Sequence, residues 1–206
     1  MVNLPDYDAM PTENRILEAA KIVFFIRGFD GTSMQDIADE AGINKSLLHY
    51  YFRSKEKLFS AVFNYAFQQF IPQIHGILNS GESIFMKIEK IVSEYMDLLR
   101  KNQFIPAFIL HEINMNPDRL FSLMQDSGLK PRVFIGQFAE EISMGVIRPM
   151  DPRQLIVNIL AMCIFPVAAR PLLQRILFEN NDAAYEKFLD ERKKVVADFI
   201  IQSIKA

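Results

Sequence analysis

The chain has 206 residues, half of them apolar, and a formal net charge of -2. This length suits one large domain or a small domain joined to a larger one, and the apolar content is too high for a disordered chain. The nearly neutral charge excludes a general attraction to nucleic acid or anionic lipid, so any such binding has to come from a local patch.

Three features bear on where the chain works. The N-terminus, "MVNLPDYDAM", contains two acids and no apolar core, unlike a signal peptide. The longest apolar region, residues 154–173, is interrupted by Pro166 and Arg170, which argues against a membrane span. Cys163 has no partner for an internal disulfide and lies among aliphatic residues. We therefore expect a cytoplasmic protein that binds no membrane and keeps Cys163 in its core.

Apolar residues recur at helical spacing almost throughout the chain, and no alternating run rich in β-branched residues indicates a strand. The first predicted helix carries an apolar stripe from Ile16 to Phe24. Thr12 is a suitable N-cap for it, and Gly28 stands where a helix commonly ends. The composition and periodicity together predict an all-α protein.

The first helix and the two short helices after it form the predicted three-helix helix-turn-helix domain, and a fourth helix follows. Ser33 and Asp36 form a variant of the capping box before the second helix, and Gly42 suits the tight turn that ends it. Asn44 and Ser54 are then good N-caps for a third and a fourth helix. Short helices joined by such tight turns are typical of a helix-turn-helix. The second helix is expected to bury Ile37, Ala38 and Ala41.

The rest of the chain is more apolar. It predicts helices over 83–102, 104–115, 117–145 with a break near Gly128 and Pro131, 152 to about 178, and 183–205. We expect one domain over residues 10–70, with its helix-turn-helix at about residues 33–52. A larger helical domain over residues 71–206 follows it.

The third predicted helix has two different faces when each residue is rotated by about 100°. Leu48, Tyr51 and Phe52 are expected to point toward the first two helices. The opposite face has donors, a flat aromatic and a cation, and no acid. A helix fits the major groove of B-DNA, where such groups can read base edges. This face carries Lys45, Ser46, His49 and Tyr50, with Leu47 at its border.

Helix starts flank this face. The helices that follow Ser33 and Ser54 begin with unpaired amides, which bind phosphate well, and Lys55 stands in the first turn of the later one. For Arg53 and Lys57 the sequence favours neither a solvated charge nor a phosphate contact. The sequence therefore predicts a reading helix between two phosphate-binding helix ends.

Two longer motifs carry a family resemblance. The run G-F-x-x-T-S-x-x-D-I-A-x-x-A-G begins at Gly28, and the run L-x-Y-Y-F-x-S-K-E-x-L begins at Leu48. In order and spacing, residues 10–70 resemble the DNA-binding domain of the TetR (tetracycline repressor) family of bacterial transcription regulators. The resemblance implies a homodimer whose C-terminal helical domain binds a small effector and releases the operator.

The resemblance also assigns roles to residues. Ser33 and Lys55 match family positions that hold phosphates, and Tyr50 matches an aromatic that contacts backbone or base. Two positions depart from the family. The family more often has tyrosine where this chain has His49, and a small or polar residue where it has Leu47. Leu47 suits a thymine methyl. Base contacts are implied for Gln35, Lys45, Ser46 and Leu47.

The predicted effector pocket is drawn from residues 71–206; the chain beyond residue 60 holds 13 of the 18 phenylalanines and seven of the ten methionines. Polar side chains within apolar helices need a buried partner, and a ligand can be that partner. His111 and Glu112 could instead pair with another side chain or meet solvent. The candidates are Tyr95, Phe108, His111, Glu112, Asn158 and Met162.

Catalytic and metal sites find little support. His75, His111 and Glu112 lack the spacing of a metal site, and no Ser-His-Asp set or Gly-rich phosphate loop is present. We therefore expect no enzyme activity, metal or cofactor.

The last two long helices resemble the pair that forms the family's dimer interface. The final one, residues 183–205, has an apolar face wide enough to pack on its own domain and on a partner. The sequence thus favours a homodimeric regulator, in practice a repressor, that a small apolar or aromatic effector releases from DNA. The alternative is a helix-turn-helix protein whose C-terminal domain docks a protein partner.

Overall fold

The computed structural model describes residues 10–67, 70–102, 104–126, 128 and 131–206, with the backbone alone at residues 66, 67, 104, 107, 108, 111 and 131. Over these residues the chain forms twelve helices, which confirms the all-α prediction. They are α1 (Thr12–Arg27), α2 (Met34–Glu40), α3 (Lys45–Tyr51), α4 (Lys55–Phe67), α5 (Phe70–Asn79), α6 (Ile84–Lys101), α7 (Phe104–Met115), α8 (Pro117–Asp126), α9 (Pro131–Ser143), α10 (Pro152–Ala168), α11 (Arg170–Phe178) and α12 (Asp182–Ile204).

Helix α1 begins one position earlier than predicted. Thr12 is its first residue, and Pro11 is the N-cap, which has no side-chain acceptor to offer. The opposite end is as expected, because Gly28 has a φ of 68° and its amide donates to the Phe24 carbonyl.

Residues 152–178, predicted as one helix, form α10 and α11. Ala169 leaves helical geometry at φ -93° and ψ 13°, and Pro171 in the first turn of α11 has no amide hydrogen with which to continue α10. No single helix in the described ranges is long and apolar enough to cross a membrane. The pair α10 and α11 meets those criteria only together, across a bend of 75°.

Side chains of α12 satisfy two carbonyls of α10, one left free by Pro166 within the helix and one at the break after it. Pro166 has no N–H for the Met162 carbonyl, which instead accepts from Arg192 Nη2 at 3.0 Å. The Pro166 carbonyl accepts from Tyr185 Oη at 2.5 Å. Helix α12 therefore packs on α10 through specific hydrogen bonds as well as apolar contact. Burial raises the pKa of the Cys163 thiol in α10 to about 12, consistent with the predicted core cysteine.

The chain divides into two compact units. Unit 1 contains α1 to α4, α8, and α7 from residue 107 onward, whereas unit 2 contains α5, α6 and α9 to α12. The sequence had placed all of residues 71–206 in one domain. Residues 107–127 instead belong with the N-terminal helices, where Leu120 and Leu123 of α8 are buried.

Unit 2 is organised around α6, which packs against α5, α10 and α12. Its inner face buries Ile88, Val92, Met96 and Leu99. Ion pairs reinforce the contact with α12, since Lys193 Nζ lies 2.6 Å from Asp97 and Arg100 lies 3.0 Å from Glu186.

Candidate nucleic-acid interface

Helix α3 is held in unit 1 by few side chains. Leu48 is fully buried and Phe52, which ends the helix, is 8% exposed, so both predicted inward positions are confirmed. Helix α3 packs against α2, whose Ile37 is inaccessible to solvent. A helix of seven residues with so small an anchor leaves most of its surface outside.

Tyr51 was predicted to be part of this core, and that prediction is wrong. Its side chain is 39% exposed and packs edge-on against Tyr50, with 5.4 Å between ring centroids. In a regular helix Tyr51 lies about 60° around the axis from Leu48, at the margin of the buried side. A tyrosine at that margin keeps its hydroxyl in water.

The turn before α3 fixes its direction. Gly42 adopts a φ of 62°, as its position in the turn predicts, and the amide of Ile43 bonds back to the Ala38 carbonyl at 3.0 Å. The Asn44 side chain then accepts from the Leu47 amide at 2.8 Å, which confirms the predicted cap. Both ends of the turn are therefore set by local hydrogen bonds.

The outward side of α3 is open, and we call Lys45, Ser46, His49 and Tyr50 the reading face. All four are exposed, Tyr50 by 79%, and Leu47 is half-buried at their border. The helix has no carboxylate in its first turn or elsewhere along its length. The reading face is thus a polar, aromatic and cationic surface.

The start of α2 is built as a capping box. Ser33 Oγ accepts from the Asp36 amide at 3.1 Å and donates to Asp36 Oδ2 at 2.6 Å. This hydroxyl bond, followed by the Ser33 amide and Arg27, lowers the pKa of Asp36. Ser33 is therefore already bonded to a carboxylate where the resemblance implies a phosphate. Gln35 is exposed and donates to Asp39 at 2.7 Å.

Lys55, predicted to bind phosphate, already forms hydrogen bonds within the protein. Its ammonium donates to the carbonyls of Phe29 at 2.8 Å and Thr32 at 2.9 Å, and lies 4.3 Å from the centre of the Phe29 ring. An ammonium has three donors, so one remains beyond these two bonds. Lys55 joins the start of α4 to the loop between α1 and α2.

Charge at the start of α4 is mixed. The Ser54 hydroxyl accepts from the Lys57 amide at 3.2 Å, as expected of an N-cap. Glu56 has a lowered pKa, chiefly through its own backbone amide and then the Ser54 hydroxyl. Arg53 and Lys57 are both exposed.

The predicted pocket residues do not gather in one unit. Tyr95 and Met162 belong to unit 2, where Tyr95 is 8% exposed and burial raises the pKa of its phenol. Asn158 lies on the exposed side of α10. The side chains of Phe108 and His111 lie outside the described residues. The effector pocket stays a prediction.

A small cleft in unit 2 contains none of these candidates. It has a volume of about 150 Å³ and is lined by Ile84, Lys87, Gln137, Glu140 and Glu141. Lys87 is 7% exposed and donates to the Leu78 carbonyl at 2.9 Å, at the end of α5. Within the described ranges, no three His, Cys, Asp or Glu side chains are grouped as metal ligands.

Arg119 is a residue that the sequence did not single out. Its Nε donates to Glu112 Oε2 at 3.0 Å, so Glu112 pairs within unit 1, one of the alternatives that its sequence left open. The Arg119 guanidinium lies 3.7 Å from the centre of the Phe29 ring. Phe29 and Arg119 are far apart in the chain, and no local pattern relates them.

The start of the chain matches a known protein family. Residues 16–62 match the model described as bacterial regulatory proteins, tetR family. Over 94 residues the chain is 33% identical to the uncharacterised HTH-type transcriptional regulator YuxN of Bacillus subtilis (strain 168), covering 45% of this chain and 32% of YuxN. It is 31% identical over 94 residues to the HTH-type transcriptional repressor KstR2 of Mycolicibacterium smegmatis, covering 45% of this chain and 44% of KstR2. The matched segment thus spans less than half the length of either relative.

A solved structure extends the similarity in fold to most of the chain. AibR, crystallised with isovaleryl coenzyme A and operator DNA, superposes with a TM-score of 0.67 at 19% identity. The similarity covers 90% of this chain and 97% of that chain.

Proposed function

Because this chain belongs to the TetR family of bacterial regulatory proteins, we propose that it is a homodimeric repressor that a small effector releases from its operator. The observation that carries the proposal is the reading face of α3. It is exposed, free of acids and flanked by two helix starts.

Each side chain of the reading face suits DNA in a different way. Lys45 can donate to a guanine edge or a phosphate, and the Ser46 hydroxyl can donate to or accept from a base edge. Tyr50, with most of its ring exposed, can pack on the sugar-phosphate backbone or a base. His49 and Gln35 add donors, and Leu47 offers a methyl contact for thymine.

The two helix starts contribute unequally to the proposed phosphate clamp. Ser33 is bonded to Asp36, and its contact with phosphate would have to compete with that carboxylate. Lys55 has a donor left after its two backbone bonds and a fixed ammonium position. We therefore assign Lys55 the steadier contact of the two.

Exposed apolar side chains of unit 2 support the homodimer. A monomer rarely exposes a large apolar patch, and helices that do so commonly pack on a partner. A two-fold axis would bring two reading helices to one side of the DNA, where half-sites require a separation of about 34 Å or a larger multiple of one turn. We call these side chains the apolar set: Val157, Leu160, Phe165, Leu172, Ile176, Leu177, Val195 and Phe199, between 45% and 65% exposed.

The effector is proposed to be small and apolar or aromatic. The apolar and aromatic side chains of the C-terminal half support this choice. KstR2 is named as a repressor, and AibR was crystallised with operator DNA and isovaleryl coenzyme A, of which only the short acyl chain is apolar. For release, the effector has to bind the conformation that cannot hold DNA more tightly than the one that can, because equal affinity shifts nothing.

Fluorescence anisotropy with the duplex upstream of the chain's own gene tests the proposal. We expect dimer binding that is tighter than to random duplex of equal length and weakens steeply with salt. Lys45→Ala should lower the preference for the upstream duplex, whereas Lys101→Ala, an exposed lysine of unit 2, should not. Equal affinity for both duplexes would contradict the proposal.

A further inference from the structure

Arg119 of α8 lies against the aromatic core of unit 1. Its guanidinium is 3.7 Å from the centre of the Phe29 ring and 5.2 Å from that of Phe59. Phe29 in turn lies edge-on to Phe59 at 4.8 Å and stacks with Phe24 at 6.0 Å. A guanidinium at this distance is attracted to the ring face, more strongly when water is excluded.

Buried Glu112 of α7 orients Arg119. The Glu112 carboxylate is 1% exposed, and its Oε2 accepts from Arg119 Nε at 3.0 Å. Its Oε1 is buried and without a hydrogen-bond partner in the described part of the chain. A carboxylate so far from water depends on its cation, because removal of one member of a buried pair leaves an uncompensated charge.

Phe29 connects this pair to the DNA-binding elements. Its carbonyl accepts from Lys55, whose ammonium also lies over the Phe29 ring. The Thr32 amide bonds to the same carbonyl at 3.3 Å, and the Thr32 hydroxyl donates to the Gly28 carbonyl at 2.6 Å. Ser33, the cap of α2, follows directly. The loop at Phe29 therefore sets both helix starts that flank α3.

Two cations thus face one ring. Lys55 and Arg119 both carry positive charge, and Glu112 supplies the negative charge that holds one of them in place. Glu56 also interacts electrostatically with both cations, so loss of Glu112 would remove the carboxylate paired with Arg119 and leave the repulsion between the two cations only partly offset.

We propose that Arg119 is a positioning residue for operator binding: held by Glu112, it braces Phe29 and so fixes Lys55 and the start of α2 where they meet the DNA backbone. The inference rests on the proposed DNA-binding function. Arg119 acts on the operator through Phe29 without contact with DNA.

Two single variants test the effect on affinity. Arg119→Met keeps the apolar stem, removes the guanidinium, and should raise the operator Kd about tenfold. Arg132→Met, an exposed arginine of unit 2, removes the same charge and should leave the Kd within about twofold of wild type. Equal Kd values for these two variants, with both folded, would overturn the proposal.

A double-mutant cycle tests the route through Glu112. Glu112→Gln should weaken operator binding in the wild-type background and should not weaken it further in Arg119→Met, because the residue that it orients is then absent. An equal loss in both backgrounds would show that Glu112 does not act through Arg119.

Amide hydrogen exchange without DNA separates this inference from the proposed function. In Arg119→Met, the amides of Thr32 and Asp36 should exchange faster, whereas the Leu47 amide, bonded to the Asn44 side chain, should not change. Unchanged exchange at Thr32 would overturn the positioning role even in a chain that binds DNA.

A more conservative variant keeps the test valid if Arg119→Met does not fold. If Arg119→Met does not unfold cooperatively, Arg119→Lys keeps the charge beside Glu112 and loses the flat guanidinium over Phe29. It should show the same faster exchange at Thr32, and wild-type exchange would contradict the proposal. Wild-type chain that fails to prefer its upstream duplex would instead count against the proposed function alone.

Discussion

The reading face of unit 1 and the apolar set of unit 2 are both exposed, for opposite chemical reasons. Lys45, Ser46, His49 and Tyr50 can all be hydrated, so the reading face has no need of a partner when DNA is absent. The apolar set, by contrast, leaves side chains such as Phe199 and Ile176 59% and 65% exposed to water. Each square ångström of that surface is unfavourable until something covers it.

The two surfaces place different demands on the protein. A polar recognition surface has to be held rigid and left free, and α3 achieves this with one buried leucine, an asparagine cap and a glycine turn. An apolar surface can be left free only at a cost in stability and solubility. The reading face can therefore stay uncovered in water, whereas the apolar set is a surface that a partner would stabilise.

Replacement of the leucine that anchors α3 should have the largest effect. Leu48→Ala removes a fully buried side chain, and we expect a loss of about 2–5 kcal/mol in the free energy of unfolding. Leu47→Ala makes the same chemical change at a half-buried position and should cost less than about 1 kcal/mol. Urea denaturation followed by circular dichroism measures both, and similar losses would mean that α3 is not held by one side.

An acid within the apolar set should separate the protomers. Phe199→Asp places a charge on an exposed apolar position of α12, and we expect the dimer Kd to rise by about 30-fold or more. Met86→Asp makes a comparable change on α6, outside the apolar set, and should leave assembly unchanged. Sedimentation velocity over a concentration series distinguishes them. A monomeric wild type would contradict the proposed homodimer.

The elements that support this comparison were predicted to different extents. The caps at Ser33 and Asn44, the turn at Gly42 and the burial of Leu48 follow from interactions within a few residues, which a sequence displays directly. The exposure of Tyr51 could not be read in the same way, because it depends on how much room the first two helices leave.

Long-range contacts escaped prediction for a related reason. Lys55 matched a phosphate-binding position, yet its bonds to Phe29 join residues 26 apart in the chain. Arg119 stands still further from Phe29, on a helix that the sequence assigned to the other domain. The break after α10 could have been predicted from Pro171, which lies in the first turn of α11. It was missed because the apolar run continues across the break.

A smaller effect should come from the reading face itself. Lys45→Ala should weaken operator binding about tenfold and reduce the slope of log Kd against log salt by about one for each protomer, if Lys45 contacts a phosphate. If it reads a base, the preference for the upstream duplex falls and the slope changes little. Stability should be unaffected, because Lys45 is exposed. An unchanged Kd would remove Lys45 from the interface.

Gly42→Ala should have the smallest effect and should isolate the turn from the surface it presents. A Cβ at this position would meet nothing within 4 Å, so the cost arises from the φ of +62° alone and should be about 1 kcal/mol in the free energy of unfolding. Because the hydrogen bond from the Ile43 amide to the Ala38 carbonyl can persist, operator affinity at a temperature well below unfolding should stay close to wild type. A large loss of affinity at unchanged stability would mean that Gly42 sets the angle of α3 through its backbone conformation, and that the reading face depends on the turn more than on Leu48.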